Sequence, residues 1–190
     1  MSRGLLAIGV IAIVAVLLGT LLASHLPRVS STATPRAVAA PAPTAPAPPG
    51  RKIKARLFYV GDDGMRLTSV ERDVAYGEGA VEQAREIVAA QIAPVVEPMV
   101  SAVPPGTKLR AVFLTQSGEA YVDLSRELAS AHPGGTVNEL LTVYTIVNAL
   151  TVNLPAVTAV QVLVDGKEVD TLAGHVDLRQ PLSKNLAWVQ

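Results

Sequence analysis

The stretch Thr136 to Thr151, TVNELLTVYTIVNALT, constrains what this chain can fold into more than any other. Leu140, Val143, Tyr144, Val147, Leu150 and, one turn on, Leu154 recur at helical spacing and form an apolar stripe. Asn138, Thr142, Thr145 and Ala149 occupy the opposite face, so the pattern predicts one face in a core and the other in water. Pro133, Gly134 and Gly135 interrupt the chain just before it, and Pro155 limits how far it runs. Thr136 with Glu139 three residues later has the form of a capping box, each side chain accepting from the other residue's backbone N–H. Its β-branched residues are mediocre helix formers, so tertiary burial has to stabilise it. It is a scaffold helix.

Composition narrows what can be built around that helix. Roughly the first 50 of the 190 residues are an apolar segment and an Ala/Pro tract, which leaves about 140 for a single core. Lys plus Arg and Asp plus Glu number 16 each, so no long-range field recruits nucleic acid. With no cysteine, disulfides, Cys-ligated metals, thiol nucleophiles and cysteine-borne lipids are excluded. An aromatic content of 4% argues against a stacking platform for bases or sugars.

Leu5 to Ala23 is 19 residues without a charge. As a helix it spans roughly 28 Å, about the hydrocarbon thickness of a bilayer. It is read as an uncleaved membrane anchor. The competing readings are a cleaved signal peptide, whose apolar region is shorter and followed closely by a small-residue cleavage site, and a buried soluble helix. Arg3 favours the N-terminus inside, whereas Arg28, Arg36 and the Arg51–Arg56 cluster lie on the other side. The short N-terminal tail favours export of the C-terminal domain. His25 to Gly50 cannot build a core and is read as an extended tether; it lacks the basic or aromatic anchors of a ligand for a Pro-binding module. The expected organisation is an anchor over 1–25, a linker over 26–50 and one domain over 51–190.

Within that domain, Ile53 to Tyr59 alternates as a strand, and Gly61-Asp62-Asp63-Gly64 turns it into a second strand over Met65–Val74. The basic residues from Arg51 to Arg56 are read as a solvated strand edge, the alternative being a grip on anionic headgroups or wall polymer. Ala80 to Ile92 is predicted as a helix with Val81, Ala84, Val88 and Ile92 inward. Lys108–Thr115 and Ala120–Leu124 form a hairpin, and Ser125 caps a short helix through Ala129. Val157–Val164 is a continuous apolar run typical of a central strand, and Asp165-Gly166 is a preferred hairpin turn. The expected fold class is α+β, a single compact domain with two main helices on one face of a mixed or antiparallel sheet.

SAVPPGTKLRAVFL, GEAYVDLSRELA, TIVNALT, VQVLVDGKE and LAGHVDLRQPL stand in an order and spacing that resembles the GerMN domain family of sporulation and germination proteins, over about Lys54 to Pro181. The resemblance implies a small α+β unit related to ring-building motifs of envelope assemblies. Asp123, Leu124, Ser125, Asn148, Gly166, Gly174 and His175 match recurrent family positions, which are fold positions rather than catalytic ones. Two departures stand out. Ala93-Pro94 and extra residues replace the family's Gly-Pro, and this chain has one copy and no lipid-bearing cysteine where the founding protein resembles a lipoprotein with two tandem copies. The implied function is a non-enzymatic, membrane-tethered bacterial envelope module that binds a protein partner or itself. Alternatives are a binding module for wall glycan or peptide and a hydrolase using His175.

The candidate chemistry is sparse. His175, Asp123 and Ser125 supply the residue types of a Ser/His/Asp set, but no nucleophile elbow presents Ser125. A zinc site from His132, His175 and a carboxylate is not supported by spacing. Asn148 is expected to be satisfied by neighbouring backbone. Gly77-Glu78-Gly79 lacks the third glycine and preceding apolar strand of a phosphate loop. No catalytic, cofactor-binding or metal-ligating residue is assigned.

Overall fold

The computed structural model describes residues 50–190; the expected anchor over Leu5–Ala23 and the Ala/Pro linker fall outside the described residues. The domain is α+β. Strands β1 (Lys52–Val60) and β2 (Leu67–Ala75) form an antiparallel hairpin. Its turn is set by Asp63, whose Oδ1 accepts the N–H groups of Met65 at 2.8 Å and Arg66 at 3.1 Å. Helix α1 (Ala80–Ile92) follows, then a second antiparallel pair, β3 (Leu109–Leu114) and β4 (Glu119–Leu124). A single turn, α2 (Glu127–Ser130), leads to the long helix α3 (Thr136–Asn153). The chain returns as β5 (Ala159–Val164), parallel to β4, so α3 is the crossover of a β-α-β unit. Short strands β6 (Lys167–Glu168) and β7 (Leu182–Ser183) pair with β5, completing a five-stranded mixed sheet.

Side-chain alternation gives that sheet one core face. Val112, Ala120, Val122, Leu124, Val160 and Val162 are buried, and the helices cover them. The β1–β2 hairpin is a separate two-stranded sheet, and each main helix touches both sheets. Helix α3 therefore has no water-facing side along most of its length. Thr142, Thr145, Asn148, Ala149 and Thr151 are buried, whereas Leu140 and Tyr144 are only half-buried. The expectation of a wet face on this helix is corrected by the second sheet and by the segments at Ala102 and Asn185, which the helical period could not reveal.

The capping box is also corrected. The residue at the N-cap is Gly135, no side chain caps the helix, and Glu139 points away from the helix end. Ser125 does not cap α2 either; its Oγ accepts the Lys108 N–H at 2.9 Å and closes the base of the β3–β4 hairpin. In α1 the inward residues are Gln83, Ala84, Ile87, Val88 and Gln91, while Val81, expected inside, is 42% exposed.

The buried glutamines explain that rotation. Gln91 accepts the Phe58 N–H at 2.8 Å and donates to the Phe58 carbonyl at 2.8 Å, so its carboxamide stands in for a neighbouring strand on the open edge of β1. Asn153 does the same for Arg56, at 2.8 and 2.7 Å, and the Val60 N–H donates to the Val100 carbonyl at 2.8 Å. Leaving the buried backbone groups of Phe58 unpaired would cost about 1–3 kcal/mol each. Gln83 binds the Gly77 N–H and the Ala75 carbonyl. A Cβ on Gly77 would lie 2.4 Å from the Gln83 nitrogen, so this glycine lets the chain cross closely over the start of α1.

On the outer face of the hairpin, Lys54 and Arg56 stand opposite Asp73 and Glu71. Lys54 meets Asp73 at 2.6 Å, so one charge of the basic run is paired across the strands.

Candidate functional site

The most unusual group in the domain is Glu139. It lies in the first turn of α3, its side chain is fully buried, and no lysine or arginine pairs with it among the described residues. What holds it is the irregular chain between β6 and β7. The Leu172 N–H donates to Oε1 at 2.7 Å and the His175 N–H to Oε2 at 2.8 Å. The His175 ring adds a third donor, Nδ1 at 3.2 Å from Oε2. Burial pushes the Glu139 carboxyl up, but the N–H groups of Ala173, Leu172, His175 and Val176 together outweigh it and hold the carboxyl below the usual range. The carboxylate is a latch that docks an otherwise unstructured loop onto the scaffold helix.

A carboxylate only accepts, so His175 carries its proton on Nδ1 and turns Nε2 outward on a side chain 39% exposed. His132 is held in the other tautomer. Its Nδ1 accepts the Gly134 N–H at 3.0 Å, and its Nε2 lies 3.1 Å from the Thr142 hydroxyl. Burial pushes the His132 pKa down, against the pull of Glu139.

The residues considered for catalysis are each engaged elsewhere. Asp123 accepts Arg110 Nε at 3.0 Å and the Gly166 N–H at 2.7 Å, pinning the type I′ turn whose Asp165 and Gly166 have φ of 50° and 75°. Ser125 belongs to the hairpin base, and no hydrogen bond joins any two of Asp123, Ser125 and His175. Among the described residues no group of three His, Asp or Glu side chains is spaced to hold a metal. Asn148 is fully buried, and its carboxamide pairs with the Asn185 backbone, Nδ2 donating at 2.8 Å and Oδ1 accepting at 3.0 Å.

The surface carries a polar cleft and an exposed aromatic pair. A shallow cleft of about 530 Å³ is lined by Gly106, Lys108, Ser125, Arg126, Glu127 and Asp165. On the outer face of the five-stranded sheet, Phe113 is 58% exposed and stands directly opposite half-buried Tyr121. Glu139 was legible only as a cap, although a charge among the apolar positions of a helix was the signal of a buried role. Gln91 and Asn153 left no signal, because their partners are distant in sequence.

Residues 56–170 match the Germane family model, described as sporulation and spore germination. Among solved structures, the tandem GerMN domains of the sporulation protein GerM from Bacillus subtilis superpose with a TM-score of 0.54 at 16% identity, over 70% of this chain and 46% of that one. The first GerMN domain of the same protein gives 0.51 at 19% identity, over 69% of this chain and 97% of that one. A Clostridium perfringens protein described as a lipoprotein gives 0.50 at 22% identity, over 70% and 88%. At these identities the structures establish a common fold. Comparison with curated proteins finds no match.

Proposed function

The chain belongs to the Germane family of sporulation and spore germination domains, and on that premise we propose that it is a non-enzymatic, membrane-tethered envelope module that binds a protein partner or further copies of itself. The observation that carries this reading is the way the polar groups are used. Glu139, Asp123, Ser125, Asn148 and Gln91 each hold a backbone group or a neighbouring side chain in place. They are spent on shape rather than converging on an open reacting site. Among the described residues no helix is long and apolar enough to cross a membrane, so the tether in this proposal is the segment Leu5–Ala23.

The test is crosslinking of the full-length protein in intact bacterial cells, followed by identification of what is captured. Self-oligomers or one recurrent envelope protein support the proposal. A second reading, a binder of wall glycan or peptide, draws on the polar cleft around Lys108 and Arg126. It wins if no protein is captured while the purified protein sediments with wall fragments and Lys108→Ala abolishes that.

A further inference from the structure

The fold leaves most of the basic run at the start of the domain uncompensated. Arg51, Lys52, Lys54 and Arg56 are all exposed, and the last three share one face of β1 because side chains alternate along a strand. Among the described residues only Lys54 of the four is ion-paired, with Asp73. Arg56 stands opposite Glu71 in the register, whereas Lys52 stands opposite Ala75. The Arg51 carbonyl accepts the Tyr76 N–H at 2.9 Å, so the last two rungs of the hairpin carry two cations and no carboxylate. The next acid along the chain, Glu78, comes after Gly77, where the chain crosses to the start of α1.

An aromatic ring sits among these cations. The Arg51 guanidinium stacks over Tyr76, 3.9 Å from the ring centroid, and Tyr76 is 40% exposed. A tyrosine flanked by basic side chains has the composition of a membrane-interface anchor, with the ring at headgroup level and the cations on the phosphates. The other end of the hairpin carries Asp62 and Asp63 beside Arg66 at its turn, so the charge is graded from positive near Gly50 to negative at the turn.

We propose that the end of the β1–β2 hairpin next to Gly50, with Arg51, Lys52 and Arg56 around Tyr76, docks on anionic lipid headgroups and fixes which way the domain faces. This deepens the membrane tethering proposed above and rests on it. At about 3.1 Å per residue, the linker over 26–50 holds the domain within roughly 75 Å of the bilayer. It joins the domain at the basic end of the hairpin, so that end reaches the surface without the chain doubling back around the domain. Each cation within a Debye length of an anionic surface favours contact about fivefold, so Arg51 and Lys52 together favour it about thirtyfold. Docked in this way, the hairpin carries its Asp62–Asp63 turn roughly 30 Å along the strands from the docked rungs.

The absence of cysteine allows single labels on the full-length protein. A fluorophore on Ala75→Cys, across from Lys52, reports the docked end, and one on Asp62→Cys reports the turn. The protein is reconstituted in vesicles of phosphatidylcholine, alone or mixed equally with phosphatidylglycerol, each carrying a headgroup spin-label quencher. Quenching at position 75 should be at least about threefold stronger in the anionic vesicles, while position 62 should not distinguish the two lipids. Raising salt from about 0.1 M to about 1 M, which shortens the Debye length from about 10 to about 3 Å, should erase the difference. Arg51→Ser with Lys52→Ser should erase it too without moving the melting transition, because both side chains are in water. Lys52→Glu, which keeps the Arg51–Tyr76 stack, should weaken it. Equal quenching at position 75 in the two lipids would overturn the proposal and leave the tether standing, provided that the protein floats with the vesicles. If it floats with neither, the tether fails and the docking with it. Shielding of position 75 by added wall fragments, but not by anionic lipid, would assign the basic run to wall polymer and overturn the proposal as well.

Discussion

Replacing Glu139 by Gln tests whether one buried carboxylate holds the loop between β6 and β7. The wild-type carboxylate accepts the Leu172 and His175 N–H groups at 2.7 and 2.8 Å on two separate oxygens. Gln keeps one acceptor and turns an NH₂ group toward the other donor, so one charge-assisted hydrogen bond is lost and a donor meets a donor. A bond to a charged group contributes about 1.5–3 kcal/mol, and the unsatisfied donors add to that, giving a loss of about 3 kcal/mol. For a domain of about 140 residues this corresponds to a fall in Tm of about 10 °C. Urea and thermal unfolding of both proteins at pH 7 measure it, and amide exchange at Leu172 and His175 locates it. The pH dependence supplies a second reading. The folded-state pKa lies below the ordinary value of 4.5, so the stabilisation is fully present above that value and is lost as pH falls through the folded pKa. The difference between wild type and Glu139→Gln should therefore shrink on acidification below about pH 4.5. An unchanged midpoint at pH 7, with Leu172 and His175 amides still protected, would refute the latch.

The remaining predictions follow from the same contacts. His132 has a lowered pKa, so the unfolded chain takes up its proton first and stability should fall as pH drops below about 6.5; His132→Asn should flatten that part of the urea-midpoint profile. Thr145 is buried and its hydroxyl has no partner among the described residues, and Thr145→Val should raise stability by about 1 kcal/mol in urea unfolding. His175→Ala removes only the longest of the bonds to Glu139 and should cost under about 1 kcal/mol; loss of a wall-hydrolysing activity from a still-folded variant would show that the domain is an enzyme. An export-dependent reporter fused after Gln190 should be active in cells, and a reporter active only in the cytoplasm should not.

The sequence alone carried what depends on neighbours along the chain. The span Ala80–Ile92, the run ending at Val164, the Asp165-Gly166 turn and the α+β class were all legible, because period, turn chemistry and strand propensity are local properties. So was the family: four of the five segments that carry the resemblance fall, in order, within the matched residues 56–170. Which face of α3 met water was decided elsewhere. A helical stripe reports one apolar surface, but β1 also packs on the helix, and Thr142 and Asn148 are buried against the chain at Ala102 and Asn185. The same holds for Glu139 and Gln91. A polar side chain in a helix reads as a cap or a wet residue until the fold brings an unpaired backbone to it, here from 33 residues away in both cases. Only tertiary structure decides this, because a buried hydrogen bond is set by which groups lose water together, and that is a property of the packed layers rather than of any segment.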